Sequence, residues 1–269
     1  MEPEFVQSRQ NPRVQNLARL RERTHRDEQA RFLVEGRREL ERALARGVVT
    51  EIYFCPEHFR HDTSKALLTR AQEAGVETCR LAPAAFEKVS LREGPDGLLG
   101  VAKSWRHSLA DLKLEPQSLV LVMESIEKPG NLGALLRTAE AAGAAVIVCD
   151  PVTDLFNPHV VRNSQGALFS LPVAVTDTGA AVEFLRAQNF AIVATTPGAE
   201  KCYWDFDLRG ATAIAFGSEK DGLSAAFLDA ADEQVRIPMA NQGDSLNVAS
   251  AAAIMLFEAK RQRVTTNGR

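Results

Sequence analysis

Much that would mark a chain for an oxidising or membranous environment is missing. The four cysteines, Cys55, Cys79, Cys149 and Cys202, are widely spaced with no CxxC pair. That leaves no disulfide framework and no cysteine zinc site, so buried free thiols and no metal are expected. No run approaches the roughly 18 apolar residues of a membrane helix. The opening MEPEFVQSRQ lacks the basic start and apolar centre of a signal peptide. The expected location is cytoplasmic, with no membrane partner. An overall positive balance is also lacking, at a net −3, which by itself argues mildly against a nucleic-acid partner.

The average conceals an asymmetry. Arg9 to Arg46 holds eleven arginines and no lysine against six acidic residues, a surplus of five positive charges that leaves −8 for the rest of the chain. Guanidinium groups grip phosphates with a planar fork, so this segment is a candidate RNA-contacting surface, carried by Arg9, Arg13, Arg19, Arg23 and Arg37. The alternative is a solvated face with ordinary ion pairs, such as Glu35 with Arg38.

Residues 11–27 place Val14, Leu17 and Leu20 at helical spacing among arginines, which predicts one amphipathic basic helix. Short apolar runs then alternate with helical stretches: FLVEG, VTEIYFC, ETCRLA and GLLGVAKS read as strands. The polar RHSLADLKLEPQ (106–117) joins this series to a second, giving domains at 1–105 and 118–269 with a linker between. In the second series SLVLVMESI, AAVIVCD, LPVAVTD, FAIVATT, TAIAFGSE and EQVRIPM read as strands, most with apolar residues on both faces. That pattern predicts a mostly parallel α/β sheet covered on both sides, with ligands at the carboxyl ends of its strands.

Three of those strands end in loops that combine glycine with polar residues. Gly130 and Gly133 flank Asn131 ahead of a helix carrying Arg137, a charge among Leu135, Leu136 and Ala139 that calls for an anionic partner. Gly217 and Gly222 bracket Glu219. Gly243 to Ser245 turn the chain into the last helix, whose start holds Ser245 and Asn247. A glycine turn opening a helix also suggests a Rossmann-type nucleotide enzyme, with Asp150 as its acidic residue; the incomplete glycine pattern disfavours it.

The segments PGNLGALLRTAEAAG, AIAFGSEKDGLS and IPMANQGDSLNVASAAAIMLFE, in this order, resemble the three motifs of the SpoU branch of the SPOUT RNA 2′-O-ribose methyltransferases. FNPHVVRNSQGALFSLPV is similar to the family's intervening segment, with Arg162 as a further RNA-contacting residue, and the N-terminal half is similar to its ribosomal-protein-like substrate-binding domain. Departures are Lys220, where glycine is common, and SLNVASA for SLNVSVA. The resemblance implies an α/β fold whose chain end is threaded into a deep trefoil knot, S-adenosylmethionine bound in the knot, and an active site completed across a homodimer. It places Gly217, Ile237, Leu246, Thr195 and Met239 at the cofactor, and Asn131, Arg137, Glu219, Ser245 and Asn247 around the methyl and the ribose. The implied substrate is RNA, ribosomal in preference to transfer RNA. A non-catalytic RNA-binding or assembly protein of the same fold is the rival, and it would be expected to have lost these polar residues.

Overall fold

The structure is a computed structural model that describes residues 3–60, 62–240 and 246–266. They form two compact units, Met1–Arg106 with Asp154–Ser170, and His107–Thr153 with Leu171–Arg269.

The first unit contains β1 (Glu4–Val6), α1 (Pro12–Arg19), α2 (Arg23–Gln29), β2 (Arg31–Glu35), α3 (Arg37–Arg46), β3 (Val49–Phe54), α4 (Asp62–Glu73), β4 (Glu77–Leu81), α5 (Pro83–Val89) and β5 (Leu98–Lys103). Its sheet runs β1-β4-β3-β5-β2, with β5 antiparallel to both neighbours. Val14, Leu17 and Leu20 are buried in its core beside Phe86 and Leu81. The single helix expected over 11–27 is in fact two. The buried Arg26 explains the break, because its Nη1 donates to the carbonyls of Leu20 (3.2 Å) and Arg21 (2.6 Å) just past α1. It thereby satisfies acceptors a continuous helix would have paired internally.

The stretch Asp154–Ser170, read from the sequence with the C-terminal half, groups by its contacts with this first unit. Phe156 lies 4.6 Å from Phe32 and 4.9 Å from Trp105, centroid to centroid. Arginines also hold it: the buried Arg26 pairs with Asp154 at 2.7 Å, Arg38 donates to Gln165 Oε1 and Arg46 to the Phe169 carbonyl. Arg38, Arg42 and Arg46 recur every four residues, so one face of α3 grips this stretch. Gly166 has φ +87° and no room for a Cβ, which would sit 2.4 Å from Arg42 Cδ.

The second unit contains β6 (Leu119–Glu124), α6 (Pro129–Ala142) and β7 (Ala145–Cys149). After α7 (Pro158–Asn163), which belongs to the first unit, come β8 (Val173–Thr176), α8 (Thr178–Ala187), β9 (Ala191–Thr195), β10 (Lys201–Cys202), β11 (Thr212–Phe216), α9 (Ala225–Ala230), β12 (Glu233–Arg236) and α10 (Val248–Thr266). All seven strands are parallel, in the order β10-β12-β9-β11-β6-β7-β8. Val120, Val122, Ile192 and Ala213 pack toward Leu185 of α8 and Phe227 of α9. Leu121, Met123 and Ile214 alternate to the other face and are equally buried, where α10 packs on α6, β6 and β11. Burial on both faces accounts for the continuous apolar runs. Among the described residues no helix is long and apolar enough to cross a membrane.

Candidate active site

Strand order brings four chain segments to one end of the second sheet. The carboxyl ends of β6, β11, β9 and β12 lead to Asn131, Glu219, Thr195 and Ile237 respectively, and the start of α10 adds Asn247. A cavity of about 690 Å³ opens there. Thr195, Gly217, Ile237, Met239 and Leu246 all line it, together with Glu219 and Asn247. Its size lies within the ordinary range for small-molecule sites.

Gly217 is fixed by sterics. A Cβ on it would lie 2.0 Å from the Gly222 carbonyl carbon and oxygen and 2.2 Å from Leu223 N. The loop closes on itself through Ser218 N to Gly222 O (3.0 Å) and Gly222 N to Ser218 O (3.1 Å). Gly222 supplies the left-handed residue, φ +71°, so Lys220 is not required to. The far end of the loop is anchored by the buried Glu124 at the end of β6. Its carboxylate accepts from Ser224 N (2.7 Å), Ser224 Oγ (2.7 Å) and Thr178 Oγ1 (2.6 Å).

Across the mouth runs a directional chain of hydrogen bonds. Asn247 Oδ1 accepts from the backbone N–H of Ala249 (3.0 Å), so its Nδ2 must face outward, and it donates to Asn131 Oδ1 (3.0 Å). Asn131 Nδ2 in turn donates to one oxygen of Glu219, and the Lys128 ammonium donates to the other. A backbone N–H can only donate, so both amides are locked in a single orientation. Both Glu219 oxygens are engaged, which suits it to holding Asn131 in place.

Of the five polar residues expected around the reaction, Asn131, Glu219 and Asn247 are thus brought together. Arg137 is exposed on α6, outside the cavity lining, and has no hydrogen bond or ion pair among the described residues. Ser245 lies outside the described residues. Two participants were missed. Lys128 sits at the N-cap of α6, where a cation opposes the helix dipole and so signals an anionic partner. Glu124 is a carboxylate ending an otherwise apolar strand, which is the mark of a buried acid with assigned donors.

Most of the expected RNA-contacting arginines are occupied within the first unit. Arg13 pairs with Glu77 (2.6 Å) and Glu4, Arg9 with Glu87, Arg23 with Asp27 and Arg37 with Glu41. Arg162 donates to the Leu91 carbonyl, while Arg19 is exposed with no partner among the described residues. The pair suggested for Glu35 does not form; that buried carboxylate instead accepts from Ser90 Oγ and Leu91 N, both at 2.6 Å. Asp150, the acid of the Rossmann alternative, accepts from Thr178 N and Oγ1. Three thiols are buried and held protonated, while Cys202 is half-buried: burial, then Glu124 and Asp150, push Cys149 up to about 12, and burial leads in raising Cys55 and Cys79 to about 11. Among the described residues no cluster of His, Cys, Asp or Glu could hold a metal ion.

Residues 118–257, just over half the chain, match the SpoU rRNA Methylase family. The chain belongs to this family. Residues 11–100 match the MRM3-like substrate binding domain. Over 94% of its length the SpoU chain is 30% identical to a 23S rRNA (guanosine(2553)-2'-O)-methyltransferase of Bacillus subtilis, covering 97% of that protein. A crystal structure of an RNA 2'-O ribose methyltransferase superposes with a TM-score of 0.87 at 43% identity, over 97% of this chain and 99% of that one. The SpoU methyltransferase AviRb from Streptomyces viridochromogenes, in complex with AdoMet, superposes with a TM-score of 0.86 at 29% identity, over 95% and 100%. These likenesses disfavour the Rossmann alternative.

Proposed function

We propose that this SpoU protein transfers a methyl group from S-adenosylmethionine to a ribose 2′-hydroxyl of ribosomal RNA. The observation that carries the reading is the Asn247–Asn131–Glu219–Lys128 chain lying across the mouth of a cavity lined by Thr195, Gly217, Ile237, Met239 and Leu246. A protein that had kept only the fold would have had no reason to keep that chain of paired amides intact. The cavity suits an adenosyl group: Gly217 lets backbone approach closely, Ile237, Met239 and Leu246 give apolar walls, and Thr195 Oγ1 is a buried hydroxyl without a partner among the described residues. Ribosomal RNA is favoured over transfer RNA because the N-terminal half matches a substrate-binding domain and the curated relatives include 23S rRNA methyltransferases.

When bound, the cofactor supplies an electrophilic methyl on a positively charged sulfur, so neither metal nor redox chemistry is needed. The chain's own residues must align the hydroxyl and accept the charge that develops on it. Asn131 and Asn247 orient the ribose, and Glu219 and Lys128 hold Asn131. Arg137 carries a guanidinium, a planar fork of donors with no acceptor, which suits it to gripping the target phosphate and stabilising the forming alkoxide rather than removing a proton.

Because Arg137 stands apart from the other polar residues, we infer that the site is completed by a second copy of the chain. The exposure of Phe257 on α10 supports this: the buried stripe Val248, Ala252, Met255, Leu256 and Ala259 is satisfied within the chain, while Ala251, Ile254 and Phe257 extend the apolar surface outward. The threading of the chain end into a knot is part of the same reading, supported by β11 lying between β6 and β9 while β12 lies beyond β9. RNA would meet the first unit where arginines are paired only with neutral acceptors, as at Arg38 and Arg162, and at Arg19. The test is transfer of tritiated methyl to ribosomal RNA by wild type, Asn131→Ala and Arg137→Ala. Each variant should lose at least about a hundredfold in turnover. Near wild-type turnover in both, with folding intact, would remove the site.

A further inference from the structure

In the first unit β3 and β5 pair antiparallel with Phe54 opposite Leu98, so the loop leaving β3 and the loop entering β5 meet at one end of the sheet. They approach closely. Cys55 N donates to Gly97 O at 2.9 Å. Gly97, at φ +80°, leaves no room for a Cβ, which would lie 2.5 Å from Cys55 O and 2.7 Å from Phe59 Cδ1. Arg60 Nη2 bridges the two loops by donating to Gly94 O at 3.1 Å. Between them opens a cavity of about 600 Å³, lined by residues 57–60, Glu87 and residues 92–95.

The charges in this lining are unevenly matched. Glu57 pairs with Arg80 at 2.6 Å, Glu87 with Arg9 at 3.8 Å, and Arg92 with Asp96 at 3.5 Å. Glu93, by contrast, is exposed and has no hydrogen bond or ion pair among the described residues, and Arg60 has only the neutral Gly94 carbonyl. A carboxylate and a guanidinium that share a cleft without pairing present a pair of acceptors and a fork of donors to whatever enters. Phe59 adds an aromatic ring, half-buried beside Gly97 and 6.5 Å from Phe54, centroid to centroid.

An unpaired RNA base uses all three. Bases in single strands stack on aromatic rings and hydrogen-bond through their exposed edges. Guanine alone among the four offers two adjacent donors, N1–H and the N2 amino group, which one carboxylate accepts together, and beside them the O6 and N7 acceptors that a guanidinium grips. Adenine and cytosine set one amino donor beside a ring-nitrogen acceptor, and uracil sets one N–H between two carbonyls.

We propose that this cleft is a specificity pocket for an unpaired guanine of the RNA substrate, stacked on Phe59 and read by Glu93 and Arg60. It rests on the reading of the chain as an RNA methyltransferase and goes beyond it by naming the base that the first unit selects. The experiment follows binding of the full chain to labelled single-stranded octamers by fluorescence anisotropy at one salt concentration. One octamer is uridine with a single central guanosine; the other carries inosine there, which lacks only the N2 amino group. Wild type should bind the guanosine octamer about tenfold more tightly. Glu93→Ala should bring the two affinities together, and Arg60→Ala should weaken both by a similar factor. Both side chains are exposed, so neither variant should change the melting temperature.

Equal affinity of wild type for the two octamers would overturn the proposal. So would a preference that survives in Glu93→Ala, which would put the guanine elsewhere on the protein, and so would a wild type that methylates ribosomal RNA but binds neither octamer. Loss of methyl transfer with the guanosine preference intact would instead remove the reaction and keep the pocket.

Discussion

Replacing Gly217 by alanine puts a methyl group where the chain leaves no room. The new carbon would lie 2.0 Å from the Gly222 carbonyl carbon, against a normal contact of about 3.5 Å, so the loop must retreat by roughly 1.5 Å. Backbone lies on the far side of the clash, and no rotamer change relieves it. The retreat would break the paired bonds between Ser218 and Gly222, about 1 kcal/mol each, with overpacking adding about 1–3 kcal/mol. Glu124 holds Ser224 at the end of the loop, so the motion falls on 218–222, the segment that lines the cavity. At least about 2 kcal/mol should then appear as a loss of about 30-fold or more in affinity for S-adenosylhomocysteine. Calorimetric titration of Gly217→Ala against wild type reads this directly. An affinity within threefold of wild type and an unchanged melting temperature would refute the steric reasoning.

Burial, more than the opposing bonds from Ser90 and Leu91, raises Glu35 above its ordinary 4.5. At this site the native state therefore holds a proton that the unfolded chain gives up, and the contribution of Glu35 to stability is fully present below about 4.5 and is lost as pH rises through the raised value. Measured against Glu35→Gln, wild type should lose stability in urea unfolding followed from pH 4 to 8; a difference that moves in favour of wild type as pH rises would contradict the sign. Phe257→Glu puts a charge on the exposed apolar face of α10 and should yield a monomer by sedimentation velocity, with methyl transfer lost. A dimeric, active Phe257→Glu protein would mean that another surface pairs the copies.

The second sheet was legible because most of its strands are apolar on both faces, a pattern that sequence carries openly. β1 and β10, with three and two residues, are too short to leave a periodic trace. The break between α1 and α2 depended on Arg26 folding back onto carbonyls five and six residues away, and arginine in a helical pattern gives no warning of that. Asp154–Ser170 was misleading for a different reason: its arginine partners lie 123 to 128 residues earlier, so chain position pointed to one unit and packing to the other. At the site, the motifs gave Asn131, Glu219 and Asn247 one by one. Their bonds join residues 88 and 116 positions apart, and only the strand order shows that they touch. Charge counting overstated the free arginines, since a local surplus does not reveal carboxylates contributed by β4 and α5.

The amide chain across the cavity mouth restricts how this site can change over evolutionary time. Its sense is set at one end by a main-chain N–H that no substitution can reverse, and each later link inherits that sense. An aspartate at position 131 would keep an acceptor where Asn247 donates, but would turn a second acceptor toward Glu219, so it becomes tolerable only alongside a donor at 219. Neither step is favourable alone. Neighbouring surface positions can drift independently, while these are bound to move in pairs or stay as they are.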